Sequence, residues 1–157
     1  MYTVCFFGHR NIRDLRRIDE KLIPILTDLI RTKPYLVFAV GRNGEFDEYV
    51  ASVIKRVQKE WGKDNSSLTL VLPYTVSDLA YYEKYYDDII IPDHLHGTHP
   101  KSAITMRNQW MVEQADLVIV NVEKMQGGAY AAMKYAERQA KKAINLADTR
   151  HQSDQGP

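Results

Sequence analysis

The chain contains five short runs of apolar, partly β-branched residues in which apolar and polar side chains do not alternate. Runs of this kind are typical of strands that are covered on both faces, as in a parallel sheet between two layers of helices. They span residues 4–7, 36–40, 68–72, 117–120 and 143–146. Because each such strand needs a helix layer on either side, this pattern limits the fold more than any other feature of the sequence.

Helical patterns lie between these runs. Apolar residues recur at spacings of three and four over residues 15–29 and 46–61, and two more helices are expected over about residues 101–114 and 128–142. Pro24 lies inside the first pattern, where it should bend the helix without ending it. The alternation predicts one α/β domain over residues 1–147: a three-layer Rossmann-like sandwich with a mainly parallel five-stranded sheet.

Residues 73–100 interrupt this alternation with a tyrosine-rich stretch, a short isoleucine run and a loop that holds three histidines. We interpret the segment as an insertion at the carboxyl edge of the sheet. Residues 148–157 are polar and unpatterned, which predicts a flexible tail.

The charge balance and cysteine content limit the classes of partner. The formal net charge is +1, with both signs well mixed, so no long-range field favours nucleic acid. No apolar run approaches the ~20 residues of a membrane span, and no membrane partner is expected. The single cysteine, Cys5, lies inside the first apolar run, which indicates a buried thiol and a cytoplasmic protein.

The turn after the first apolar run is a candidate ligand loop. In open parallel sheets, ligands bind beyond the carboxyl ends of the strands, where the strand order reverses. Gly8, His9 and Arg10 occupy this position, and the Arg10 guanidinium suits a phosphate or carboxylate. The alternative is a tight turn with two solvated side chains.

A second candidate loop contains Gly41, Asn43 and Gly44 and leads directly into a helix. Free backbone amides at a helix start favour an anion. Asp47 in the first turn would repel phosphate, so we interpret it as an acceptor for a ribose hydroxyl, as a partner of Arg10, or as a residue that stabilises the helix end.

Gly127 and Gly128 repeat this arrangement at the start of the last helix and predict a third anion-binding turn. Arg107 lies beside the apolar stripe of the preceding helix, where an unpaired guanidinium would be costly. Its partner is either a ligand anion or a carboxylate of the protein such as Asp47.

Two other clusters of side chains, one of tyrosines and one of histidines, have more than one possible role. The tyrosines at 81, 82, 85 and 86 suit stacking on a nucleobase, but packing or a homo-oligomer contact is favoured. The alanine-rich final helix is a second candidate contact for a homodimer or higher oligomer. His94, His96 and His99 have no evident fourth ligand, and no metal site is predicted.

Taken together, FFGHR, GRNGEFD, MRNQWMVEQADLVIVNV and GGAYAAMKYA resemble the YpsA-like branch of the SLOG superfamily, which also contains the LOG phosphoribohydrolases and DprA. The resemblance extends to residue 146. It implies a Rossmann-like fold whose crevice binds or senses a nucleotide or nucleotide-derived small molecule, with no cofactor assigned. The ligand-binding residues that it implies are Gly8, Arg10, Gly41, Gly44, Asp47, Arg107, Asn108, Gly127 and Gly128.

The resemblance also limits the expected chemistry. LOG enzymes pair an arginine, which Arg107 matches, with a glutamate whose place is taken here by Met133. Without that carboxylate, cleavage of an N-glycosidic bond loses a supporting group. Binding is therefore the first hypothesis. The alternatives are a nucleotide or N-glycosidic hydrolase, with Arg107 and Asp47 or Glu45 as catalytic candidates, and single-strand DNA binding of the DprA kind.

Overall fold

The computed structural model describes residues 1–42 and 44–147, so Asn43 and the predicted tail at 148–157 lie outside the described residues. The α/β Rossmann-like fold is confirmed. In chain order the elements are β1 (Tyr2–Gly8), α1 (Leu15–Thr32), β2 (Leu36–Val40), α2 (Glu45–Trp61), β3 (Ser66–Val71), α3 (Leu79–Tyr85), β4 (Asp88–Ile90), a 3-10 turn (Asp93–Leu95), α4 (Pro100–Gln114), β5 (Leu117–Asn121), α5 (Gly128–Arg138) and β6 (Lys142–Asn145).

The strands form one parallel sheet in the order β4-β3-β2-β1-β5-β6. β1 is central, with Val4 opposite Phe38 of β2 on one side and Leu117 of β5 on the other. The chain builds outward from β1 through β2 to β4 and then crosses back to β5. The strand order therefore reverses between β1 and β5, which places a crevice between their carboxyl ends.

The prediction of five strands is wrong, because the sheet has six. The additional strand is β4, which lies inside the segment expected to be an insertion and pairs Ile89 with Leu70 of β3. It is only three residues long and sits at the sheet edge. Such a short apolar run cannot be distinguished from a loop by its periodicity.

Alternate residues of β1 enter two separate cores. Val4 and Phe6 pack with α1 and α2 in a first core on one face of the sheet. Cys5 and Phe7 pack with α4 and α5 in a second core on the other face. This arrangement explains why the strand sequence does not alternate between apolar and polar residues. Burial raises the pKa of the Cys5 thiol well above its usual range.

Two helix boundaries bear on the predictions. α1 continues through Pro24 from Leu15 to Thr32, which confirms that the proline does not end the helix. α5 ends at Arg138, earlier than the pattern predicted, because Ala140 adopts a left-handed conformation and Lys141 N–H donates to Ala136 O. No helix within the described ranges is long and apolar enough to cross a membrane.

The tyrosine cluster packs along one flank of the first core. Tyr86 is buried and contacts the rings of Tyr82 and Tyr85 at centroid distances of 6.1 and 5.0 Å. Lys55 of α2 lies 3.9 Å from the Tyr85 ring centroid. Tyr81, in contrast, is 68% exposed. These contacts agree with the packing interpretation for three of the four tyrosines.

Gly8 is required by the close approach of β1 to α2. A Cβ atom at this position would overlap ring carbons of Phe46, which is completely buried. We expect Gly8→Ala to lower the free energy of unfolding by about 1–3 kcal/mol, the usual cost of overpacking. Urea denaturation measures this.

Gly128→Ala is the matched control, because the nearest neighbour of a Cβ there is Asn108 Nδ2 at 3.9 Å. It should change stability by less than about 0.5 kcal/mol. Equal stability of the two variants would show that β1 and α2 are not in close contact at Gly8.

Candidate functional site

A cleft of about 410 Å³ opens at the carboxyl ends of β1 and β5, bordered by the starts of α2 and α5 and by one face of α4. Residues from all three predicted loops and from α4 meet there. Nine of the predicted site residues line the cleft: Gly8, His9, Arg10, Gly41, Asp47, Arg107, Asn108, Gly127 and Gly128. Of the other two, Gly44 does not line the cleft and Asn43 is outside the described residues.

Gly44 fixes the first loop against the second. A Cβ atom on Gly44 would lie 2.6 Å from the Arg10 Cα, so only glycine allows this approach. Next to it, the Glu45 N–H donates a hydrogen bond of 2.8 Å to the Arg10 carbonyl oxygen. The start of α2 therefore holds the backbone of Arg10 in place.

The turn before α5 presents free backbone donors. Gly127 is the N-cap of α5 and has φ +93°, a conformation that favours glycine. The first helical hydrogen bond runs from Ala131 N–H to Gly127 O at 3.0 Å. No acceptor in the part of the chain that the structure describes takes the N–H groups of Gly128, Ala129 or Tyr130. Helix geometry directs these groups out of the N-terminal end, where Gly127 and Gly128 line the cleft.

Arg107 is held mainly by neutral groups of the protein. It is 1% exposed, its Nη1 donates to Val71 O at 2.9 Å, and its Nε donates to Asn108 Oδ1 at 2.8 Å. Burial lowers the pKa of Arg107, and the negative charge of Asp47 opposes this shift. A Cβ atom on Gly41 would lie 3.0 Å from Arg107 Nη1 and 3.2 Å from Asp47 Oδ2, so both side chains border the same point of the cleft.

His9 joins the loop after β1 to the loop after β5. Its Nε2 accepts hydrogen bonds from the backbone N–H groups of Glu123 and Lys124, each at 3.1 Å. A ring nitrogen that accepts is unprotonated, so the imidazole is neutral with its proton on Nδ1. Partial burial is the main cause that lowers the pKa of His9, Lys124 lowers it further, and Glu123 opposes them.

The sequence prediction did not include several residues that line the cleft. Lys124 and Gln126 lie between β5 and the glycine pair, and Ile104 and Met111 of α4 supply an apolar wall. The segment from 122 to 127 is a loop without periodicity, so no pattern selected individual side chains. The position of Lys124 just before the glycine pair is the signal that could have identified it.

The histidines at 94, 96 and 99 do not converge on a metal site. His94 lies in the 3-10 turn, His96 caps it, and His99 accepts a hydrogen bond from Lys101 N–H at the start of α4. Within residues 1–42 and 44–147, no group of three or more potential ligands is placed to hold a metal ion.

We expect Arg107→Met to destabilise the fold by about 2–4 kcal/mol, because it removes the donors to Val71 O and Asn108 Oδ1. Chemical denaturation measures the change. Arg16→Met is the control, since the Arg16 side chain is 90% exposed and pairs only with Glu20. A loss below about 1 kcal/mol for Arg107→Met would show that these two hydrogen bonds do little for stability.

His9 should make stability depend on pH. Its folded pKa lies below the value of about 6.5 of an unfolded histidine, so between these two values the unfolded state binds more protons. The stability due to neutral His9 is present above pH ~6.5 and is lost as pH falls toward the folded pKa. The stability difference between the native protein and His9→Ala should therefore shrink from pH 7.5 to pH 5. An NMR titration that gives His9 a pKa above its unfolded value would contradict this.

Comparison of the sequence with protein-family models and with curated proteins gave no match. The fold is similar to solved structures of DNA processing protein A. The Streptococcus pneumoniae protein aligns with a TM-score of 0.66 at 16% identity, over 98% of this chain and 56% of that one. The Helicobacter pylori protein, whose structure concerns single-stranded DNA binding, aligns with a TM-score of 0.62 at 12% identity, over 99% and 74%. At these identities the likeness shows a shared fold alone, and this chain spans little more than half the length of the pneumococcal protein.

Proposed function

We propose that the cleft binds a nucleotide or a nucleotide-derived small molecule, with a phosphoryl group at the start of α5. The observation that carries the proposal is the convergence of free amides, cationic side chains and an apolar wall on one cleft at the point where the strand order reverses. In Rossmann-like sheets this is the place where ligands bind.

The place of the ligand's phosphoryl group in the cleft is assigned from charge and hydrogen bonding. The N–H groups of Gly128, Ala129 and Tyr130 need acceptors, and the positive end of the α5 dipole favours an anion there. Arg10 and Lys124 also line the cleft, and neither side chain has an ion-pair or hydrogen-bond partner among the described residues. An anion would satisfy all of these groups at once.

The remainder of the cleft suits a sugar and a base. Its volume falls in the range of about 300–1,000 Å³ that is typical of small-molecule sites. Phe7, Ile104 and Met111 provide apolar surface, while Asn108 and Asp47 provide polar groups. A carboxylate repels phosphate but accepts hydrogen bonds from hydroxyl groups, so Asp47 is assigned to the part of the cleft that would hold the sugar.

Assignment to the YpsA-like branch of the SLOG superfamily forms part of the proposal. All four sequence motifs that carry the resemblance contribute residues to this cleft. The fold likeness to DNA processing protein A supports the superfamily but does not select the branch. A cytoplasmic location agrees with the free, buried Cys5.

A hydrolase is the second candidate, and the placement of Asp47 favours it. Of the carboxylates in the described residues, only Asp47 lines the cleft, beside the buried guanidinium of Arg107. Asp47 would activate water and Arg107 would stabilise negative charge. Met133, which stands where LOG enzymes have their glutamate, instead packs with the second core and lies 3.9 Å from Asn145 Nδ2.

Gly128→Pro tests the binding proposal because it removes one amide donor at a position where proline is compatible with a helix start. A nucleoside monophosphate at a hundred times its Kd should stabilise the native protein by about 2.7 kcal/mol in a thermal-shift assay. We expect Gly128→Pro to weaken binding about tenfold, the loss of one charge-assisted hydrogen bond. Gly128→Ala keeps the donor and should bind like the native protein.

Three outcomes would contradict the binding proposal. Equal binding by Gly128→Pro and Gly128→Ala would remove the phosphoryl site from α5. Release of free base or phosphate, detected by chromatography and abolished by Asp47→Asn, would favour the hydrolase. Binding to single-stranded DNA that falls steeply with salt, without binding of mononucleotides, would favour a nucleic-acid partner.

A further inference from the structure

A second cavity, of about 400 Å³, is lined by residues 9–13 of the loop after β1 and by Asn121, Glu123 and Lys124. Its lining includes the cationic side chains of Arg10, Arg13 and Lys124 and one carboxylate, Glu123. Arg10, Lys124 and the neutral His9 line both this cavity and the cleft. The two spaces therefore share a wall, and three cations face one acid in the second cavity.

The arginines of this cavity differ from the others in the molecule. Seven of the nine arginines in the described ranges have a hydrogen-bond, ion-pair or aromatic partner: Arg16, Arg17, Arg31, Arg42, Arg56, Arg107 and Arg138. Among the described residues, the side chains of Arg10 and Arg13 have no such partner, and both line the second cavity. Two unpartnered guanidinium groups beside one cavity are a ready site for an anion.

The segment that carries these arginines is anchored along its length. The Arg10 carbonyl oxygen accepts from Glu45 N–H, and Ile12 packs against the first core. Asp14 caps α1 by accepting from Arg17 N–H at 3.1 Å. Because the backbone is fixed on either side of Arg13, little backbone entropy is lost when the guanidinium groups bind an anion.

We propose that this cavity is a second phosphoryl subsite, and that the ligand of the cleft is a nucleoside polyphosphate. The inference rests on the proposed function, since it extends the phosphoryl site at α5. The first phosphoryl group lies at the start of α5, and the polyphosphate chain passes Arg10 and Lys124 toward Arg13. Arg10 and Lys124 line both spaces, so the two phosphoryl sites lie next to one another.

The test compares AMP, ADP and ATP by calorimetry, without divalent metal, for the native protein, Arg13→Gln and Arg16→Gln. The native protein should bind ATP at least about tenfold more tightly than AMP. Arg13→Gln should weaken ATP binding about three- to tenfold and leave AMP binding unchanged. Arg16→Gln removes the same charge three residues away, where the side chain pairs with Glu20 and lines neither cavity, and should leave both affinities unchanged.

The outcomes separate this inference from the proposed function. Equal affinity for AMP and ATP, or equal effects of Arg13→Gln and Arg16→Gln, would overturn the subsite and leave the cleft proposal standing if AMP binding still depends on the Gly128 amide. An Arg13-dependent affinity for oligothymidylate, with none for ATP, would replace the polyphosphate by a nucleic acid. Failure of every nucleotide to bind would overturn both proposals.

Discussion

The parallel pairing of β1 with β2 on one side and with β5 on the other is the constraint on which the site depends. Parallel neighbours require crossovers, and right-handed crossovers place helices on opposite faces when the chain runs from β1 toward β4 and from β5 toward β6. The starts of α2 and α5 are thereby brought to opposite sides of the same strand end. A cleft with a helix N-terminus on its border follows from this topology.

Topology alone leaves the loops free to move, and two contacts remove much of that freedom. The first is the hydrogen bond from Glu45 N–H to the Arg10 carbonyl, which joins the β1 loop to α2. The second is the pair of hydrogen bonds that His9 Nε2 accepts from Glu123 N–H and Lys124 N–H, which join the β1 loop to the segment after β5. The backbones of Arg10 and Lys124 are held near the cleft before any ligand arrives, so binding loses little backbone entropy.

The fold was predictable from the sequence because burial on both faces leaves a strong pattern. The first apolar run showed its two-sided burial directly, as did the runs that became β2, β3 and β5. β4 was missed because three residues at a sheet edge carry too little periodicity. The end of α5 was placed too late because the helical apolar pattern continues past Arg138, where the turn at Ala140 ends the helix.

The position of the site was predictable to the level of loops, and the contacts within it were not. Glycines at the strand ends marked the three turns that line the cleft. Nothing in the sequence shows that Gly8 faces Phe46, that His9 accepts from two amides, or that Arg107 is held by Val71 O. These contacts join residues far apart in the chain, and they depend on the geometry of packed elements.

The central claim is that the start of α5 holds a phosphoryl group. Amide chemical shifts of the isotope-labelled protein, followed by NMR during titration with a nucleoside monophosphate, test this claim most directly. The account predicts that the largest saturable changes occur at Gly128, Ala129 and Tyr130. Saturable changes confined to residues remote from the cleft, with these three amides unmoved, would contradict it.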